Sequence, residues 1–227
     1  WIYTFTRLER CITKIFKRSI TIEKNFQLKE VSLLGQIKVK KNVGGIEGLC
    51  IIEPTVHGDS RGYFMETYNK NDMAEAGLTM EFVQDNQSSS SKGVLRGLHF
   101  QKGSSSQAKL VRCVKGAVLD VAVDIRKGSP TFGQHVAVEL TEENHRHFFI
   151  PRGFAHGFSV LTDEVIFQYK CDNFYAPQSE GALAWDDSDL NINWRIPTNQ
   201  IILSEKDKHH EKLKDASWLF DYNTNLY

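Results

Sequence analysis

Long apolar runs are missing from this 227-residue chain: no stretch of about 18 consecutive apolar residues occurs, so no membrane-spanning helix is expected. Cysteine is sparse. Cys11, Cys50, Cys113 and Cys171 are scattered without CxxC spacing, which argues against a zinc knuckle or a disulfide framework and suits a reducing cytosol. Net charge is also lacking, with 28 basic residues balanced by 28 acidic ones, so broad electrostatic binding to nucleic acid is not expected. The balance is uneven along the chain, however. Residues 1–33 hold seven Lys or Arg against three Glu, and the remainder carries the compensating negative charge.

Those first 33 residues differ from the rest and are read as an extension to a domain spanning residues 34–227. LERCITKIFKRSITI could form a basic amphipathic helix of the membrane-surface or transit type. The reading preferred here is a leader or translated upstream sequence.

What is present beyond that point is a succession of short strands divided by Gly, Asn, Asp and Pro turns. GLCIIEP (48–54), GYFMETY (62–68), MEFVQDN (80–86), KLVRCV (109–114) and AVLDVAVDI (117–125) read as strands, as do HVAVEL (135–140), HFFIP (147–151), GFSVL (157–161) and VIFQYKC (165–171). Lys115–Gly116 reads as a tight hairpin, and SSSSKG (88–93) and KGSSSQ (102–107) as loops. Helices are expected only at NKNDMAEAG (69–77) and in the tail from about Lys206 to Phe220. Many close strands and few helices make the chain all-β, a sandwich or barrel.

AVLDVAVDI alternates Leu119, Val121, Val123 and Ile125 on one face with Asp120, Ala122 and Asp124 on the other. On an isolated strand those aspartates would face solvent. In a closed barrel they would enter a cavity and need partners, for which Lys109, Arg112, His99 and His156 are candidates. VLRGLHFQ (94–101) raises a related question. Strict alternation sends Arg96 and His99 to opposite faces, so both can serve one cavity only if the backbone near Gly97 breaks the alternation, as a bulge would.

PRGFAH (151–156) has the spacing P-x-G-x-x-H and resembles the second motif of the cupin superfamily, which implies a jelly-roll fold. The upstream H-x-H-x(3,4)-E slot of metal-binding cupins reads His99-Phe100-Gln101 followed by KGSSS, leaving only His99 and His156 where a metal wants three or four ligands. No metal is expected. The motifs DSRGYFMETYN (59–69), FVQDNQS (82–88), VLRGLHFQ, QAKLVRCVKGAVLDVAVDIRKGSPTFG (107–133), IPRGFAHGF (150–158), APQSEG (176–181) and LSEKD (203–207) together resemble the dTDP-4-dehydrorhamnose 3,5-epimerases. The resemblance implies deprotonation and reprotonation of dTDP-4-keto-6-deoxyglucose beside its keto group, without a cofactor. It implies His99 as base, Asp207 as its orienting carboxylate, Tyr169 as acid and Lys109 at the enolate oxygen. Asp120 and His156 would be a supporting pair, and Arg96 would contact sugar and diphosphate. Arg61, Glu66, Gln84, Asp85 and Asn86 match nucleotide-binding positions, and Glu180 and Lys206 further substrate contacts. It also implies a homodimer, with the Arg61–Glu66 strand serving a neighbour's site. A relative that inverts one carbon, or a non-catalytic sugar-nucleotide-binding cupin, would share much of this pattern.

Overall fold

In the computed structural model, residues 31–227 are described; the amphipathic segment expected at the N-terminus lies outside them. The strands in chain order are β1 (Val31–Leu34), β2 (Ile37–Lys41), β3 (Cys50–Pro54), β4 (Val56–Asp59), β5 (Gly62–Met65), β6 (Gln84–Ser91), β7 (Leu95–Gln101) and β8 (Lys109–Lys115). They continue as β9 (Ala117–Asp124), β10 (Arg126–Lys127), β11 (His135–Thr141), β12 (His147–Ile150), β13 (Phe154–Val160), β14 (Glu164–Cys171), β15 (Glu180–Ala182) and β16 (Phe220–Asp221). The helix α1 (Lys70–Glu75) follows β5, capped by the Asn69 side chain, which accepts from the backbone N–H of Asn71 and Asp72. The expected boundary at residues 33/34 runs through β1, the edge strand paired with β2.

Two antiparallel sheets face each other, as a jelly roll requires. One has the order β1-β2-β3-β12-β8-β14-β6, the other β11-β9-β13-β7-β15. Apolar side chains from both inner faces, among them Val111, Leu140, Phe148, Phe158 and Phe167, fill the space between them. The outer face of the smaller sheet is covered by the C-terminal segment through Leu213, Trp218 and Phe220. That of the larger sheet is covered beside α1 by Met73 and Leu78. Strand β9 is therefore buried on both faces. Asp120 and Asp124 are fully buried, so the barrel reading of AVLDVAVDI holds and the solvent reading does not.

Four sequence expectations need correction. Lys115–Gly116 is not a hairpin: β8 pairs with β12 and β14, and β9 with β11 and β13, so the chain turns there from one sheet into the other. Gly116 has φ +76°, and a Cβ would fall 2.2 Å from the Glu164 carbonyl oxygen, so the corner excludes larger residues. Ser88–Ser91 is not a loop but the second half of β6, paired residue for residue with β14. Its polar side chains suit the outermost strand of the sheet. Residues 80–83, expected to be strand, precede β6. Finally, the tail is not a helix. It holds one-turn 3-10 segments at Lys206–Lys208 and Leu213–Asp215, because its backbone groups bond to the barrel instead, as Leu213 N–H does to Asp187 Oδ2 at 2.7 Å.

His147 carries a testable consequence of this packing. It is buried on β12, its Nε2 has no partner among the described residues, and burial beside Arg112, His145 and Lys170 pushes its pKa down to about 3. The folded protein thus keeps the ring neutral while the unfolded chain protonates it near the ordinary value of 6.5. Stability from this group is intact above that value and is lost as pH falls toward 3, by up to about 1.4 kcal/mol per pH unit. Urea unfolding between pH 4 and 7 should show a shallower acid slope in His147→Gln than in the wild type. Parallel slopes would refute the assignment.

Candidate active site

The break expected near Gly97 is present. On β13, His156 and Phe158 are two residues apart, yet they face His99 and Arg96, which are three apart on β7, so β7 carries one extra residue. Gly97 takes φ +142°, and a Cβ there would lie 2.5 Å from the Gly157 Cα. Glycine is needed at this close approach. The bulge turns Arg96 and His99 into one cavity while Leu95, Leu98 and Phe100 pack on the opposite face.

That cavity, of about 520 Å³, opens between the sheets. β7 supplies Arg96 and His99, β8 Lys109, β13 His156, β14 Tyr169 and β6 Asn86. A second cavity of about 320 Å³ shares Asn86, His99, Lys109 and Tyr169 and adds Gln84 and Glu180. Lys206 and Asp207 come from the C-terminal segment. This segment runs beside β7 at Ile202, whose carbonyl accepts from Leu95 N–H at 3.0 Å, and rejoins the barrel at Glu211, whose carbonyl accepts from Ala184 N–H at 2.8 Å. The arch between these anchors sets Asp207 against His99.

His99 Nε2 lies 2.6 Å from Asp207 Oδ1. Ser204 donates its hydroxyl to Asp207 Oδ2 at 2.9 Å, and His210 Nε2 stands 3.4 Å from Oδ1. Burial alone would raise the Asp207 carboxyl, but the bond and charge from His99, with Ser204 and His210, hold it below its ordinary pKa. Because Nε2 is engaged, Nδ1 is the His99 nitrogen left to accept a proton. Deeper in the barrel, His156 Nε2 is 2.9 and 3.1 Å from the two oxygens of Asp120. Burial lowers the His156 pKa against the pull of Asp120.

Lys109 is half-buried at the cavity wall, and burial depresses its pKa despite the opposing influence of Cys171, Asp120 and Glu180. Its Nζ stands 6.0 Å from the centre of the Tyr169 ring. Burial raises the Tyr169 pKa, so the phenol keeps its proton at neutral pH. Arg96 is exposed and held by Ser90 Oγ at 3.2 Å, its guanidinium otherwise available at the cavity wall. A desolvated ammonium, a protonated phenol and an imidazole with one engaged nitrogen are the components of an enolising site.

Three expected residues lie outside the cleft. Arg61, on the exposed β4–β5 hairpin, pairs with Asp59. Glu66 accepts from the Asn69 side chain at 2.9 Å. Asp85 points to the other side of β6 and pairs with Lys170 at 2.9 Å. Strand alternation gives the reason, since Gln84 and Asn86 face inward. Conversely, Tyr175, which donates to Glu180 Oε1 at 3.0 Å and lines the second cavity, was not singled out from the sequence; nor were Ser204 and His210. HH at 209–210, two and three residues after the dyad carboxylate, is the available signal for His210.

The ligand set of metal-binding cupins does not fit. Gln101, in the place of the second histidine, spends its amide on backbone: Nε2 donates to Ser105 O at 2.6 Å and Oε1 accepts from Ala176 N–H at 2.7 Å. His156 is committed to Asp120. These side chains brace the site and leave no cupin-type metal cage.

Residues 44–215 match the sequence profile of the family described as dTDP-4-dehydrorhamnose 3,5-epimerase. The enzyme of that description from Shigella flexneri is 53% identical over 174 residues, covering 76% of this chain and 95% of the relative. The crystal structure of dTDP-4-dehydrorhamnose 3,5-epimerase from Elizabethkingia anophelis NUHP1 is 52% identical, with a TM-score of 0.77 over 81% of this chain and 100% of that one. The dTDP-6-deoxy-D-glucose-3,5-epimerase from Legionella pneumophila, solved in complex with dTDP-4-keto-L-rhamnose, is 47% identical, with a TM-score of 0.78 over 83% of this chain and 100% of that one. With the bulged histidine strand, the carboxylate behind it and the jelly roll around them, these likenesses place the sequence: the chain belongs to the dTDP-4-dehydrorhamnose 3,5-epimerase family.

Proposed function

We propose that the chain is an isomerase that inverts a dTDP-linked 4-keto-6-deoxyhexose at carbons 3 and 5, giving dTDP-4-dehydro-L-rhamnose for dTDP-L-rhamnose biosynthesis. The observation that carries the mechanism is the His99–Asp207 contact at the wall of a cleft that also holds Lys109 and Tyr169. The 4-keto group acidifies its neighbouring hydrogens. His99 Nδ1 removes one, the charge passes to the keto oxygen, and the Lys109 ammonium stabilises the resulting enolate. Asp207 steadies the imidazolium formed in that step. Tyr169 returns a proton to the other face of the ring, which inverts the carbon. His156 and Asp120 support this centre from below, and Arg96, Gln84, Asn86, Glu180 and Lys206 hold sugar, phosphates and base.

A cytoplasmic homodimer is part of this reading. Arg61 and Glu66 stand outside their own chain's cleft, on and just after a hairpin that exposes Tyr63 and Phe64. In a dimer they would complete the neighbour's nucleotide site, and light scattering should return twice the chain mass. Asp85 is kept as a nucleotide-side residue through its place between Gln84 and Asn86. The segment before β1 is outside the catalytic domain in this proposal, while residues 31–33 join it through the pairing of β1 with β2.

The wild-type test uses dTDP-4-keto-6-deoxyglucose in deuterium oxide with excess chelator. Solvent deuterium should enter both carbon 3 and carbon 5 of the product at the rate seen without chelator. Label at one carbon would make the protein a single-carbon epimerase. Loss of turnover on chelation would overturn the metal-independent reading.

A further inference from the structure

His210 has no part in the proton transfers derived above, yet it is aimed at the same carboxylate as His99. Its Nε2 is 3.4 Å from Asp207 Oδ1, and the two imidazole rings stand at 90° with centroids 6.1 Å apart. Among the described residues, His99, Asp207 and His210 are the one group of three such side chains whose donor atoms converge, all within 4.8 Å of one another. His99 stands in a slot that cupins use for a metal, and His210 does not.

The chemistry of this set is specific. Two borderline imidazole nitrogens and one hard carboxylate oxygen make a set that zinc accepts, and three protein ligands leave a fourth, open position. Zinc bonds of about 2.0–2.2 Å place the ligands of a tetrahedron roughly 3.3 Å apart. The His210–Asp207 separation of 3.4 Å already has that value, while the His99–Asp207 contact of 2.6 Å must open slightly. Asp207 and His210 have side chains only 5% and 13% exposed, which fixes two of the three ligands within the fold, while the His99 side chain is 40% exposed. His99 and Asp207 line the cavity, and an ion held on His99 Nε2 would sit behind the ring whose Nδ1 meets the substrate.

We infer that His99, Asp207 and His210 form an inhibitory site for zinc-like divalent cations, in which the ion takes the His99–Asp207 pair out of proton transfer. Binding of the ion is independent of the proposed activity; only the inhibition rests on His99 being the base. The site distinguishes this chain from one with the same dyad and no imidazole at position 210. Zinc then stops turnover by occupying the machinery, and its removal restores it, the reverse of a metalloenzyme's response.

Zinc binding to the full chain can be measured by competition with a chromophoric chelator, alongside turnover. The expectation is one high-affinity zinc per chain and inhibition over the same concentration range, reversed by EDTA. His210→Gln should weaken zinc binding and inhibition together by at least tenfold, since loss of even an outer-shell partner costs about 10–100-fold. His209→Gln, at the exposed neighbour, should change neither. Zinc-edge X-ray absorption on the wild type needs no variant and should show two imidazoles and no sulfur. Sulfur ligation, no binding below about 1 mM, or equal affinity in His210→Gln would overturn the site. Saturation with zinc while turnover continues would overturn the inhibition and leave the epimerase reading standing.

Discussion

His99→Ala should abolish both inversion and exchange of solvent deuterium into the sugar, because no enolate forms without a base. Tyr169→Phe should separate the two. It leaves the imidazole, its Asp207 partner and Lys109 in place, so a hydrogen can still be removed and returned from the face it left. Inversion should fall by about 10²–10⁴-fold, the usual contribution of a positioned proton donor, while part of the exchange survives. Asp207→Asn should resemble a milder His99 variant, since it keeps the imidazole but removes the charge that steadies its protonated form. Mass spectrometry of the exchanged sugar, run beside a coupled reductase assay for inverted product, reads both quantities. Exchange at near wild-type rate in His99→Ala would identify another base. Exchange lost in Tyr169→Phe as completely as in His99→Ala would deny the phenol its separate role.

Asp120→Ala is expected to be the most destabilising single change near the site. Asp120 is fully buried, accepts from His156 and is the buried negative charge acting on Lys109. Removing it leaves a buried imidazole without a partner and a half-buried ammonium without that charge, a loss of about 3–5 kcal/mol for a buried pair broken on one side. Asp120→Asn keeps an acceptor oxygen for His156 and should lose less. If the alanine variant does not fold, the asparagine variant carries the comparison. Urea unfolding near pH 7 gives both values, and a double-mutant cycle with His156→Ala isolates the pair. An alanine variant within 1 kcal/mol of wild type would mean that water replaces the carboxylate and that the pair contributes little to the fold.

Much of this site was readable because its signals are local. The alternation in AVLDVAVDI identified a strand with carboxylates on one face, and the spacing of Arg96 and His99 around Gly97 required the bulge. Other features depend on partners distant in sequence. A left-handed glycine after Lys115 serves a hairpin or a sheet-to-sheet corner equally well, and only the pairing of β8 and β9 with different neighbours decides between them. Ser88–Ser91 has weak strand propensity and becomes strand through β14. The tail reads as helix in isolation because nothing local records that Leu213, Trp218 and Phe220 lie on the smaller sheet. Asp85 was grouped with Gln84 and Asn86 by motif, although a strand necessarily turns the middle residue away. Tyr175 belongs to the site by position alone, and the HH pair close behind Asp207 is the one local sign of His210.

The arch from Ile202 to Glu211 has a consequence for what enzymatic activity reports. His99 and its carboxylate are 108 residues apart in the chain, and they meet only when this segment is fastened at both ends. All the strands of the two facing sheets precede it. Circular dichroism would register those sheets whether or not the arch was seated, whereas turnover registers the arch itself. A proteolytic nick near Ile202 would therefore yield a barrel with native-like spectra and no working base. Specific activity in a preparation thus measures the fraction of chains whose last segment has closed, a stricter criterion of nativeness than secondary structure.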